Sequence, residues 1–289
     1  MKKSTTSQVL KNDKPLDIRY DSVFKAVFTK DTPESTGALS GLVSALIGRK
    51  LSIISINTNE PPPEDTRDRQ VRFDISCRAE NGERINVEMS FNPDADEPIR
   101  LEFFAAKLFI GQDIRGAHKS YDDLKQTYQL AILAKEQFFP DEVYLHFFEY
   151  YDTQNQISLN SKTQIITLEL TKLDEIVKKE TEEMSVSERW AVYFEYLTDE
   201  SKRDKINEIM KKEEGIAMAN QVLMNISRDE VESARLLSEY KGQLDLQSKL
   251  VNAERKIAKE IALKMKGMGL TKEQIKQATG LSLETIASL

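Results

Sequence analysis

Two acidic residues, Asp74 and Glu88, lie in neighbouring segments in which apolar and polar residues alternate. This alternation is typical of half-buried strands. Between the two segments, Asn81-Gly82 supplies the positive backbone φ angles of a tight hairpin turn. The pattern therefore predicts that both carboxylates lie on the polar face of one hairpin. Two carboxylates that converge on a rigid sheet can bind Mg²⁺ beside a phosphate group.

The same two residues also have an ordinary interpretation. Acidic side chains on the polar face of a hairpin are most often simply solvated, and a two-residue motif has a high false-positive rate. Arg72 or Arg84 could form a surface ion pair with either acid, and such a pair contributes little stability. Residue types and spacing alone leave both interpretations open.

Composition excludes several other kinds of site. The chain of 289 residues has a single cysteine, Cys77, and two histidines, His118 and His146. One cysteine rules out an internal disulfide and a thiolate zinc site, and two histidines make a histidine metal cluster or a Ser-His-Asp system hard to build. The net charge of −7 argues against coating of nucleic acid by bulk electrostatics. It does not exclude a nuclease, which needs only a local basic patch.

No apolar run approaches membrane-spanning length, and the first residues lack the apolar core of a secretory signal. We therefore expect a cytoplasmic protein with no membrane partner. Along the chain, periodicity and composition predict four regions. They are a disordered N-terminus (1–16), an α/β domain with a mixed sheet (17–170), a helical region without proline (171–266) and a short helix-turn-helix-like tail (267–289). Within the α/β domain, the sequence predicts a loop over 92–98 and then a helix from about Ile99 to Asp113.

The tail combines a capping box, from Thr271 to Gln274, with a second helix start at Ser282. Its last helix has only about two turns at 3.6 residues per turn. It is also poor in basic and amide side chains, so DNA reading by this tail is the less favoured interpretation.

Five motifs follow one another along the chain. They are Asp21-x-x-Phe24-Lys25, Asp74 in one predicted strand, Glu88-Met89-Ser90 in the next, Arg100 at a helix start, and Tyr121-x-x-Leu124-Lys125 before another strand. This order, over roughly residues 17–170, resembles the Rpn-type recombination-promoting nucleases, also described as PD-(D/E)XK nuclease family transposases. The tail resembles the short terminal module that many members carry.

The resemblance implies an α/β, restriction-endonuclease-like (PD-(D/E)XK) core with a mixed sheet, followed by an all-α C-terminal region. It also implies DNA cleavage with Mg²⁺ or Mn²⁺. Asp74 and Glu88 match the family's metal-binding acids, and Asp21 matches an acid of the N-terminal helix that can join the metal shell. Ser90 stands where the family has Lys or Gln, and a serine hydroxyl cannot supply the positive charge of a lysine. Lys107, in the following helix, is a candidate replacement, although an ordinary solvated lysine is the commoner situation.

Two functional hypotheses follow from this resemblance. The first is a metal-dependent DNA endonuclease linked to recombination, mobile elements or defence, with activity weakened by Ser90. The second is a catalytically inactive nuclease-fold module that binds DNA or another protein. A homodimer is compatible with the first hypothesis, because two-fold symmetry matches the two antiparallel scissile bonds.

Overall fold

The computed structural model describes residues 14–57, 74–112 and 120–288. Most of the N-terminus predicted to be disordered, residues 1–13, lies outside the described residues. So do Val71 and Phe73, which were expected to begin the first strand of the acidic hairpin.

The described residues form α-helices and β-strands in an alternating N-terminal part and helices alone in the C-terminal part. The helices are α1 (Asp21–Thr29), α2 (Pro33–Ile47), α3 (Glu97–Ile110), α4 (Val186–Tyr196), α5 (Arg203–Lys212), α6 (Glu214–Arg228), α7 (Glu230–Gly267), α8 (Lys272–Thr279) and α9 (Leu283–Ser288). The strands are β1 (Ile53–Asn57), β2 (Ile75–Ala79), β3 (Arg84–Ser90), β4 (Thr127–Leu133), β5 (Leu145–Phe148), β6 (Tyr151–Asp152), β7 (Ile157–Ser158) and β8 (Thr163–Glu169).

Six of the described strands form one sheet in the order β1-β2-β3-β4-β8-β5, and β6 pairs only with β7. The central strands β3, β4 and β8 are parallel, whereas β1, β2 and β5 pair antiparallel to their neighbours. The predicted mixed sheet followed by a helical C-terminal region is therefore confirmed.

The predicted hairpin is formed by β2 and β3, in which Ile75 pairs with Val87. Gly82 takes a φ of 86° in the turn, a conformation that residues with a Cβ adopt at a cost. Because β2 begins at Ile75, Asp74 directly precedes the strand and does not lie within it. If the pairing of β2 with β3 is extended by one residue beyond Ile75 and Val87, Asp74 lies opposite Glu88.

Helices cover both faces of the sheet. Ala131 and Leu133 of β4 contact Leu101 of α3. The alternating residues Leu130 and Ile132 point to the other face and are fully buried as well. Helix α1 contacts β2 and β3, and α2 contacts β1 and β8. Alternation along β4 thus divides the core into two layers.

Helix α3 begins at Glu97, two residues earlier than the sequence predicts. The sequence Glu97-Pro98 was expected to belong to the preceding loop. Proline lacks a backbone N–H, but the first turn of a helix needs none, so Pro98 fits there. The earlier start places the Glu97 side chain next to the end of β3.

Helices α2 and α6 pack closely where two glycines face each other. A Cβ on Gly41 would lie 3.1 Å from Cα of Gly215, so neither position has room for a side chain. The ring of Trp190 borders both glycines and is itself buried. The helices α4–α6 therefore belong to the same compact unit as the sheet, which extends to Ser233.

Residues 234–289 form a second compact unit. Its small apolar core joins Ala262 of α7, Ile275 of α8 and Ile286 of α9. The capping box predicted at Thr271 and Gln274 is present at the start of α8. Among the helices of the described residues, none has the length and apolar character required to cross a membrane.

Candidate active site

Asp74 and Glu88 lie side by side, and the carboxylate of each accepts a hydrogen bond from a backbone N–H at or next to the other residue. The backbone N–H of Asp74 donates to Oε1 of Glu88 at 3.3 Å. The N–H of Met89, the residue after Glu88, donates to Oδ2 of Asp74 at 3.2 Å. Each carboxylate therefore reaches the backbone beside the other one, and the structure brings the two acids to one edge of the hairpin. Both are largely enclosed, since Glu88 is 2% exposed and the Asp74 side chain 14%.

Lys25 of α1 joins this pair to Asp21. Its ammonium group lies 2.9 Å from Oδ1 of Asp74 and 3.0 Å from Oδ2 of Asp21. Asp21 and Lys25 are four residues apart and thus one turn apart on the same face of α1. The apolar face of the same helix is buried through Phe24 and Phe28, which fixes the rotation of α1 and aims Lys25 at the hairpin.

Ser90, at the end of β3, contacts the first turn of α3. Its hydroxyl donates to Oε2 of Glu97 at 3.3 Å, and Arg100 donates to Oε1 of Glu97 at 2.6 Å. Arg100 also lies 3.9 Å from Oε2 of Glu88. A further carboxylate, Glu97, and a second cation, Arg100, therefore border the pair, and Ser90 connects Glu97 to the strand.

A buried amide, that of Asn86, contacts Oε1 of Glu88, whereas Arg100 lies beside Oε2. The amide nitrogen of Asn86 donates to Oε1 of Glu88 at 2.8 Å and to Oε1 of Gln129 at 2.9 Å. Asn86 and Gln129 are both fully buried. Since side chains with two fixed partners lose most of their rotamer freedom, Glu88 is held in one orientation before any ligand binds.

A family model described as PD-(D/E)XK nuclease family transposase matches residues 18–253. The chain belongs to this family. No curated protein and no solved structure was found to match it. The match includes every side chain of the site and extends through the helices that follow the sheet.

In this PD-(D/E)XK family member, both acids of the hairpin hold protons more tightly than usual. Burial, together with the neighbouring Asp74 carboxylate, raises the pKa of Glu88 to about 8. Burial and the Asp21 carboxylate raise the pKa of Asp74 to about 6, although Lys25 opposes the rise. Without a further cation, a proton is thus retained by the pair at neutral pH.

At Lys25, the neighbouring carboxylates favour the charged form of the side chain. Burial lowers the pKa of its ammonium group, but the carboxylates of Asp74 and Asp21 outweigh burial, so the pKa lies above its ordinary value. Lys25 therefore carries a positive charge at neutral pH and supplies one cation to the site.

The donor set fits the divalent ion that PD-(D/E)XK nucleases use. Asp74 and Glu88 offer hard carboxylate oxygens, the ligands that Mg²⁺ and Mn²⁺ prefer. Their raised pKa values mean that the pair carries unbalanced negative charge when both are ionised, which a divalent cation would neutralise. Within the part of the chain that the structure describes, no group of three or more Asp, Glu, His or Cys side chains is placed so that it could hold a metal ion.

The structure does not bring Lys107 to the carboxylates. It lies in the last turn of α3, seven residues beyond Arg100, which is about 10 Å along a helix axis that rises 1.5 Å per residue. The cation that does contact the acids, Lys25, was part of a recognised motif but was not predicted to act in the site. Its spacing of four residues from Asp21 was the available signal. Glu97 was missed because its segment was assigned to a loop.

Proposed function

We propose that this protein is a metal-dependent DNA endonuclease that hydrolyses phosphodiester bonds. The observation that supports the proposal best is the reciprocal hydrogen bonding of Asp74 and Glu88 beside the ammonium group of Lys25. Membership of the PD-(D/E)XK nuclease family transposases supports nuclease chemistry in general. The metal, the DNA substrate and the residue roles are our proposals.

Each side chain of the site has a distinct task in this proposal. Asp74 and Glu88 would hold Mg²⁺ or Mn²⁺, with Asp21 as an additional acid nearby. When bound, the ion supplies an acidified water and stabilises negative charge on the phosphate. Lys25 donates a charged hydrogen bond to the phosphate oxygens as their negative charge grows, the role that the family assigns to Lys at the position of Ser90. Arg100 neutralises Glu97 and keeps it from competing for the ion.

Plasmid cleavage tests this function directly. Supercoiled DNA incubated with the protein and Mg²⁺ or Mn²⁺ is expected to become nicked or linear, and EDTA is expected to stop the reaction. The Asp74→Ala variant, checked for folding by circular dichroism, is expected to lose cleavage. If the wild-type protein and this variant cut equally well, the proposal is refuted.

Metal binding is expected to tighten as the pH rises from 6 to 8. Because the pKa of Glu88 is raised to about 8, a proton must leave before the carboxylate can act as a ligand. The affinity for Mn²⁺ should therefore rise by up to about tenfold per pH unit below that pKa. Isothermal titration calorimetry in two buffers of different ionisation enthalpy would count the released protons. A pH-independent affinity with no proton release would contradict this assignment.

The alternative function, an inactive nuclease-fold module that binds DNA or protein, is favoured by one observation. Ser90 replaces the family's Lys or Gln, and its hydroxyl is engaged with Glu97. If Lys25 supplies the cation, as we propose, a Ser90→Lys variant should cleave within about tenfold of the wild-type rate. A single charged donor changes kcat by roughly 10²–10³, and we expect a second donor to add much less at a site that already has one. Rates in the plasmid assay distinguish the two cases. An inactive wild type whose Ser90→Lys variant cuts DNA would favour the alternative.

We also propose that the cleavage serves recombination or the movement of mobile elements, in keeping with the transposase description of the family.

A homodimer is a proposal that rests on the symmetry of the two scissile bonds alone. Light scattering of the full chain with and without DNA tests it.

A further inference from the structure

Two arginines stand directly opposite each other at the turn end of the acidic hairpin. Arg78 of β2 and Arg84 of β3 are register partners, so their side chains leave the same face of the sheet. Like charges in this position destabilise a sheet unless something neutralises them. Among the described residues, neither arginine has a carboxylate within ion-pair distance. Burial and the charge of Arg78 lower the pKa of Arg84, which shows the same repulsion.

A third cation completes the cluster. Lys125 lines the same cleft of about 250 Å³ as Arg78 and Arg84, and so does one acid, Asp123, whose Oδ2 accepts from the backbone N–H of Ser120. Its backbone is held by Gln112, whose side-chain amide donates to the carbonyl of Lys125 at 2.9 Å and whose Oε1 accepts from its N–H at 2.8 Å. The stem of Lys125 lies against Gly82, where a Cβ would be 3.4 Å from Cγ of the lysine. The three cations are thus positioned around one cleft by backbone contacts.

This cleft, which we call the arginine cleft (Arg78, Arg84 and Lys125), lies on the sheet face that carries the acids. Arg84, Asn86 and Glu88 alternate along β3 and therefore share a face. Arg84 is four residues from Glu88, which is about 13 Å along a strand at 3.3 Å per residue. Successive nucleotides of one DNA strand advance about 3.4 Å along the helix axis. Asn86, between them, is fully buried, so a phosphate in the cleft and a phosphate at the acids would lie about 13 Å apart on either side of it, a separation of a few nucleotides.

We propose that the arginine cleft is a phosphate subsite, which holds a backbone phosphate of the DNA substrate a few nucleotides from the scissile bond. Guanidinium groups bind phosphate through paired hydrogen bonds, because their planar set of N–H donors matches two of its oxygens. The bound phosphate would also remove the repulsion between the two arginines. This subsite rests on the proposed function, since its ligand is the DNA that the nuclease cuts.

The salt dependence of DNA binding tests the subsite. Fluorescence anisotropy with a labelled duplex, in EDTA so that no cleavage occurs, gives the slope of log K against log salt concentration for the full-length protein. That slope is negative, and each lost phosphate contact reduces its magnitude by about 1. We therefore expect a decrease of about 1 for Arg84→Gln and about 2 for the double variant Arg78→Gln/Arg84→Gln.

Arg49→Gln is the matched control, because this substitution removes the same charge at a position outside the arginine cleft. Its guanidinium pairs with Glu83 and with the hydroxyl of Tyr128, whose side chain leaves the opposite face from Gln129. The slope of this variant should equal that of the wild type. The melting temperatures of the Arg78 and Arg84 variants should be unchanged or higher, since a repulsion is removed.

The outcomes separate the subsite from the proposed function. Wild-type binding whose slope is unaffected by Arg84→Gln and by the double variant would overturn the subsite and leave the nuclease proposal intact. An equal decrease for Arg49→Gln would also overturn it, because the effect would then be one of net charge. Absence of any DNA binding by the wild type, together with absence of cleavage, would overturn both.

Discussion

A Glu88→Gln variant is expected to lose cleavage and, without metal, to be more stable than the wild type at pH 8. Loss of activity follows because an amide cannot act as an anionic metal ligand. We expect kcat/KM to fall by about 10³-fold or more, of the order seen when charge stabilisation at a transition state is removed. The gain in stability follows from the position of Glu88 in the fold.

Glutamine reproduces the neutral form that the folded protein prefers. The pKa of Glu88 is raised above its usual 4.5 to about 8. The neutral acid therefore contributes stability that is fully present below pH 4.5 and is lost as the pH rises through 8. Oε1 of a glutamine can still accept from Asn86 and from the N–H of Asp74, as Oε1 of Glu88 does. The variant avoids the buried charge at all pH values, and we expect a gain of about 2–4 kcal/mol at pH 8.

Urea unfolding in EDTA at pH 5 and pH 8 measures this effect. The difference in free energy of unfolding between variant and wild type should be small at pH 5 and should grow toward pH 8. Glu102→Gln, at an exposed position of α3, controls for loss of one negative charge and should show no such growth. A variant that is less stable at pH 8 would mean that Glu88 is ionised and well compensated in the free protein.

Replacing Lys25 with methionine is expected to lower kcat by about 10²–10³-fold, because the charged donor to the phosphate oxygens is lost. Methionine keeps the length and apolar stem of the side chain. Metal affinity should not weaken, since Lys25 contacts Oδ1 of Asp74 and its removal frees that oxygen. Single-turnover cleavage and Mn²⁺ titration of the same variant measure the two effects separately.

Lys30→Met serves as the control for this change. Lys30 directly follows α1 and pairs with Glu232 at an exposed position. Its replacement should leave the cleavage rate unchanged within about twofold, as surface ion pairs contribute little. If Lys25→Met cleaves at the rate of this control, Lys25 has no part in catalysis, and the cation of the site must be sought elsewhere.

Period-two alternation was sufficient to predict that Asp74 and Glu88 meet, because a hairpin register determines both the face and the pairing. The same reasoning could not find Lys25. It lies on a helix about fifty residues earlier in the sequence, and only the packing of α1 against the sheet brings it to the hairpin. Lys107 was a candidate because it lies on the helix that follows β3, but position on a helix does not give distance from the site. A helix repeats its face every seven residues or so, yet each repeat is two turns further from the site.

The fold shows the same division between local and tertiary information. The capping box at Thr271 and the hairpin turn at Gly82 are encoded in a few adjacent residues, and both were predicted. The start of α3 at Glu97 depends on whether Pro98 opens a helix or ends a loop, and its neighbours do not decide between the two. The two-residue strands β6 and β7 are shorter than any periodicity can reveal.

Lys25 and the proton retained by the acidic pair have a consequence for how the protein matures. Together they compensate the buried carboxylates from within the chain, so the newly made polypeptide can fold before it encounters an ion. Small zinc domains, by contrast, depend on their metal to fold at all. If the proposed function holds, the divalent ion would bind to a protein that has already folded, and the metal concentration would control its activity and not its folding.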